Sequence, residues 1–131
     1  MNYYLTESLL NSLLHSNEKD KTKIEKKLSE LLKKKGKFYI SSFTIKEILI
    51  NENDQTLREN LYQLIATLPE ILLNHTSNDF NLALKLSRDQ NLKFENYLEL
   101  AICLNNSIDI ILDSKDIFSK QNFVNWENAL K

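Results

Sequence analysis

Short apolar runs alternate with amphipathic stretches along the whole chain. Four runs, "NYYL" at 2–5, "FYIS" at 38–41, "EILL" at 70–73 and "IDIIL" at 108–112, are too short for helices and predict buried strands. Between them lie helical patterns. The leucine-rich segment after Thr6-Glu7-Ser8 is one. "TKIEKKLSELLKKKG" sets Ile24, Leu28, Leu31 and Leu32 on one face, opens with a Thr22 and Glu25 capping-box pattern and closes at Gly36. "TLRENLYQLIATLPE" has an apolar face of Leu57, Leu61, Leu64, Ile65 and Leu68, with Pro69 as its stop. "SNDFNLALKLSRDQN" is amphipathic, and "NYLELAICLNN" is apolar almost all round, as a helix packed between other elements would be. Strand alternating with helix predicts an α/β fold with a short, mainly parallel sheet.

Composition narrows the class. A chain of 131 residues is of the size of one domain, so residues 1–131 are expected to share one core. One glycine and one proline argue against a many-stranded β fold. A net charge of -1 gives no global basic field, which leaves nucleic-acid binding to a local patch such as Lys33, Lys34, Lys35 and Lys37. The competing reading of those lysines is a solvated helix end favoured by the helix dipole. One cysteine, no membrane-length apolar run and no secretory leader point to a cytoplasmic protein without membrane association. Cys103 and Trp126 read as packing residues, and His15 and His75 lack a second ligand at metal spacing.

In a parallel sheet, ligands gather at the carboxyl ends of the strands. The junctions there are Thr6 to Ser8, Ser41 to Glu47 and Asp113 to Asp116, with the start of the Asn96 helix as a fourth candidate. The segments "YYLTESLL", "FYISSFTIKEIL" and "LKFENYLELAICLNNSIDIILDSKDIF", in that order, resemble the PIN domain, in particular the small VapC-type ribonuclease toxins. The resemblance covers nearly the whole chain and implies a three-layer α/β/α sandwich. It also implies metal-dependent RNA hydrolysis with Mg²⁺ or Mn²⁺, homodimers and an antitoxin partner whose segment lies over the site.

Carried over residue by residue, the resemblance puts Glu47 on the family's helical glutamate. Thr6, Asn96 and Ser114 fall where the family has acids. Hard divalent cations want carboxylate oxygens, and these three side chains offer none. All three can cap helix N-termini, so substitution could keep a cap and delete a charge. Asn96 has Glu99 three positions on, a capping-box spacing, and Glu47 follows Thr44 by three in the same way. Two function classes follow. The first is a catalytically degenerate PIN-like module that binds a protein or nucleic acid without cutting it; the second is an active ribonuclease in which Glu7, Asp113 and Asp116 substitute as metal ligands beside Glu47.

Overall fold

The computed structural model describes residues 1–15, 17–68 and 70–131, without the side chains of Glu70 and Ile71. The expected stop at Pro69 therefore lies outside the described residues. The elements run β1 (Asn2–Leu5), α1 (Glu7–His15), α2 (Glu18–Lys33), β2 (Lys37–Ser41), α3 (Ser42–Asn51), α4 (Gln55–Thr67), β3 (Glu70–Leu73), α5 (Ser77–Leu86), α6 (Phe94–Asn105), β4 (Ile110–Asp113) and β5 (Asn125–Asn128). All strand pairs are parallel, in the order β3-β2-β1-β4-β5. This is the α/β architecture expected from the alternation of runs, with one strand more: "NWEN" is too polar to register as a strand, and it forms by pairing with β4 along the sheet edge.

Both faces of the sheet are covered, which makes the sandwich three-layered. Tyr3, Leu5, Phe38, Ile40 and Leu112 pack against Leu9, Leu10 and Leu13 of α1, Ile24 and Leu28 of α2, Ile48 of α3 and Leu61 of α4. Tyr4 and Ile111 point the other way, into Ala83 of α5 and the apolar body of α6. Alternate residues of one strand thus feed two cores, as the period-2 pleat requires. α6 buries every residue from Tyr97 to Cys103, which is why it reads as apolar all round.

Two helix starts differ from the sequence reading. α2 begins at Glu18 because the Asn17 side chain accepts the Asp20 amide, leaving Thr22 inside the helix. α6 begins at Phe94 with Lys93 as its N-cap, so Asn96 sits in the first turn and neither caps the helix nor forms a box with Glu99. At the other end of α2 the chain closes in a Schellman turn, with Gly36 N–H on the Leu31 carbonyl and Lys35 N–H on that of Leu32. The left-handed residue is Lys35 (φ 63°) and not the glycine. Gly36 is required for another reason: a Cβ there would meet the Leu31 carbonyl oxygen at 2.9 Å and the Tyr3 ring at 3.0 Å.

Gly36→Ala should therefore lower stability by about 1–3 kcal/mol through overpacking, whereas Lys35→Gly should be neutral to stabilising because it relieves left-handed strain of about 1–2 kcal/mol. Urea unfolding midpoints at unchanged m value would check the pair, and equal losses in both variants would contradict this account of the turn.

Candidate functional site

The strand order reverses at β1, whose neighbours are β2 on one side and β4 on the other. A cleft at such a switch point, outside the carboxyl ends of the strands, is the expected ligand site of an open parallel sheet. Here a cleft of about 720 Å³ lies between α1 and the start of α6, lined by Glu7, Ser8, Asn11, Ser12, Asn96 and Glu99, with Lys93, Lys115 and Lys120 at its edge.

Thr6 answers for the end of β1. Its hydroxyl caps α1 by accepting the Leu9 amide (3.2 Å) and donates to Asp113 Oδ1 at the end of β4 (2.8 Å). The carboxyl group that the resemblance sets on the first strand is thus supplied by the neighbouring strand. Asp113 is fully buried, and its Oδ1 also accepts the Ser114 amide, while Oδ2 has no partner. Burial raises its pKa, and the Thr6 hydroxyl, the Ser114 and Lys115 amides and the Lys115 charge oppose that rise.

Ser114 does not cap a helix. Its hydroxyl donates to the Ser8 carbonyl (3.0 Å) and accepts from Ser12 (2.8 Å), so it ties the end of β4 to α1. Asn96 is half-buried and lines the cleft. Glu47 is half-buried on α3. The Thr44 and Glu47 capping box is absent, because Ser41 is the N-cap and accepts the Thr44 amide (3.1 Å). Glu47 does not line the Asn96 cleft, but it lies close enough to Glu7 for its charge to act there. Burial, Glu47 and Glu95 all raise the Glu7 pKa, against Lys115.

Two candidate groups lie elsewhere. Asp116 is engaged by Asn128 and Lys131 at the β5 edge, and these partners lower its pKa. Lys33, Lys34, Lys35 and Lys37 sit where α2 enters β2, at the amino ends of the strands and opposite the cleft. The histidines are placed by other contacts: His15 Nε2 meets Glu52 at 3.0 Å, and His75 Nδ1 meets the Ser42 hydroxyl at 2.8 Å. Cys103 is in the core, as expected.

Glu99 is the residue that pattern reading missed. It is 3% exposed, and its Oε2 has no partner. Burial pushes its pKa well above the ordinary carboxyl value, helped by Asp113 and Glu7, while the Tyr4 hydroxyl and the Glu7 amide draw it back. Tyr4 is itself buried in a polar cluster, with its hydroxyl 2.9 Å from Ser41 Oγ and 3.0 Å from Thr44 Oγ1. The signal was present as one acid inside "YLELAICL", a helix otherwise without charge. Chemically, Glu99 brings a buried carboxyl group to the cleft wall, and Asp113, outside the lining but close enough for its charge to act on Glu99, is a second; each has one unused oxygen. Among the described residues, no three of His, Cys, Asp and Glu come together as a group able to hold a metal ion.

The raised Glu99 pKa means that the folded state binds more protons than the unfolded chain above the ordinary carboxyl pKa of about 4.3. Its contribution to stability should fall as pH rises from there towards the native pKa. Glu99→Gln should flatten that part of the profile and melt higher than wild type at alkaline pH, as thermal melts across pH would show; an unchanged profile would remove Glu99 from the account. The Thr6 contact gives a second test. Thr6→Asp alone should destabilise by about 2–4 kcal/mol, because it sets a second carboxylate against Asp113. Combining it with Asp113→Thr should recover at least half of that loss, the coupling expected of touching groups.

No protein-family model matches the sequence, and no curated protein matches it. Solved structures do. A chain of VapBC2 from Rickettsia felis, crystallised bound to a DNA fragment from its promoter, aligns with a TM-score of 0.71 and 12% identity over 98% of both chains. A chain of VapBC-1 from nontypeable Haemophilus influenzae aligns with a TM-score of 0.71 and 14% identity over 100% of both. At such identities the likeness is one of architecture, and the architecture is the PIN-like fold of the VapC-type proteins.

Proposed function

We propose that this chain is a VapC-type PIN-like protein whose strand-end cleft binds a partner without cutting RNA. The observation that carries the reading is the acid inventory of the cleft. Thr6, Asn96 and Ser114 stand at positions the family resemblance gives to acids, and the remaining carboxylates do not gather in threes among the described residues. Mg²⁺ and Mn²⁺ need several oxygen ligands with compensating charge. Asp113 spends one oxygen on Thr6 and the Ser114 amide and does not line the cleft, and Asp116 faces another edge. This donor set does not fit a divalent centre, and no hydrolytic step is assigned to it.

The neighbours of like fold are VapBC complexes. We extend that to a protein partner of antitoxin type, and to a homodimer as the second assembly. An apolar groove supports a protein partner. It has about 540 Å³ of space, is walled by Ile45, Leu49, Ile50 and Leu72, and has Lys46 and Arg58 at its edge. RNA is the alternative occupant of the main cleft, where Lys93, Lys115 and Lys120 could meet phosphates. A second reading, an active ribonuclease using Glu7, Glu47 and Asp113, draws on the charge coupling between Glu7 and Glu47.

Incubating the purified protein with RNA in Mg²⁺, Mn²⁺ or chelator separates the two. We expect no metal-dependent cleavage and little metal-dependent rise in melting temperature, whereas a native-state ligand at 100 times its Kd adds about 2.7 kcal/mol. Cleavage that needs metal and disappears in Glu47→Gln would establish the nuclease instead.

A further inference from the structure

Charge is distributed very unevenly along this nearly neutral chain. Residues 18–37 hold nine of its 17 lysines and arginines and four of its 18 acids, a net charge of +5 that leaves -6 on the remainder. Two of the five net charges belong to α2, at 16 residues the longest helix, with six lysines against four acids, and Lys34, Lys35 and Lys37 directly after it supply the other three. With 100° per residue, Lys19, Lys23, Lys26, Lys33 and Lys34 fall within an arc of about 100°, which also holds one exposed acid, Glu30. Ile24, Leu28 and Leu31 are buried on the other side, and all five lysines are exposed. Lys27, next to this arc, pairs with Glu127 at 3.2 Å; none of the five forms an ion pair with a described residue. The result is a straight basic ridge about 22 Å long. It lies apart from the strand-end cleft, since none of its residues lines that cleft.

We infer that the α2 ridge is a docking surface for the phosphate backbone of a double-helical nucleic acid. Charge complementarity selects a polyanion, because five exposed lysines outnumber the single acid among them, Glu30, and phosphate contacts by such a row release condensed counterions. The absence of aromatic side chains in α2 selects the duplex over the single strand, whose binding relies on stacking platforms for unpaired bases. The outward face of α2 also carries no apolar residue to enter a lipid surface, since its leucines and Ile24 are buried or packed on the core. Lysine presents a point charge and reads no base pattern here, so binding is independent of sequence. This inference does not depend on the reading given to the cleft.

The test is fluorescence anisotropy with DNA and RNA duplexes of about 20 base pairs, the matching single strands and anionic vesicles, at about 50 and 200 mM salt. Duplex affinity should fall roughly 100- to 500-fold between the two salt concentrations, as four to five phosphate contacts imply. The triple variant Lys23→Glu, Lys26→Glu, Lys33→Glu should bind more than about tenfold more weakly and reduce the salt slope by about 2.7. The neutral triple Lys→Gln variant at the same positions should lose the same slope with less perturbation of the fold. A control of equal charge change, Lys85→Glu, Arg88→Glu, Lys131→Glu, should retain most of the affinity. Equal losses in ridge and control variants, tighter binding to single strands or vesicles, or no duplex binding at the lower salt would each overturn the inference.

Discussion

β1 is the constraint on which the other elements depend. It is four residues long, lies at the centre of the sheet, and its last three residues are buried. A strand in that position must be apolar on both faces, and "NYYL" meets the demand with one tyrosine in each core. Because β2 and β4 both pair with it, the direction in which strands are added reverses there, and a cleft opens at its carboxyl end. The residue that follows inherits two tasks. Thr6 must satisfy the first amides of α1, and it must face the end of β4 at hydrogen-bond distance. A single hydroxyl does both, which explains why a polar residue stands at the junction of two apolar segments.

The cleft follows from that junction. With Thr6 neutral, the buried negative charge at the sheet centre comes from Asp113, and Glu99 approaches from the facing helix. Two carboxyl groups in a poorly solvated place cannot both remain charged cheaply, and the response is a raised pKa, not a paired counterion. The buried side-chain oxygens left without partners among the described residues are Glu99 Oε2 and Asp113 Oδ2, on two groups near enough for their charges to interact.

Much of the architecture was legible in the order of runs. The four apolar strands are where their composition places them, and α6 declares its burial by its lack of a polar face. What escaped had no local signature. β5 exists because an edge was free to pair, not because "NWEN" favours a strand. Thr22 with Glu25 and Asn96 with Glu99 carry the spacing of helix starts, yet Asn17 and Lys93 hold those positions. Spacing records a capacity that tertiary contacts can leave unused. The site was legible in its location, at the strand ends, but not in its chemistry. That Thr6 and Asp113 touch across 107 residues, or that Glu99 turns inward, is decided by strand order.

The hydroxyl cluster beneath the cleft has one more property. Tyr4, Ser41 and Thr44 form a closed triangle with sides of 2.9, 3.0 and 3.1 Å, in which each oxygen can give one proton and receive another. Ser41 donates to Thr44, so with Thr44 donating to Tyr4 and Tyr4 to Ser41 every hydroxyl proton of the triangle is used inside it. The Tyr4 hydroxyl also favours the charged form of Glu99, so one phenol serves both the triangle and the buried acid. Because Ser41 is also the N-cap of α3, the central strand, the start of that helix and the buried acid all meet at one hydroxyl cluster.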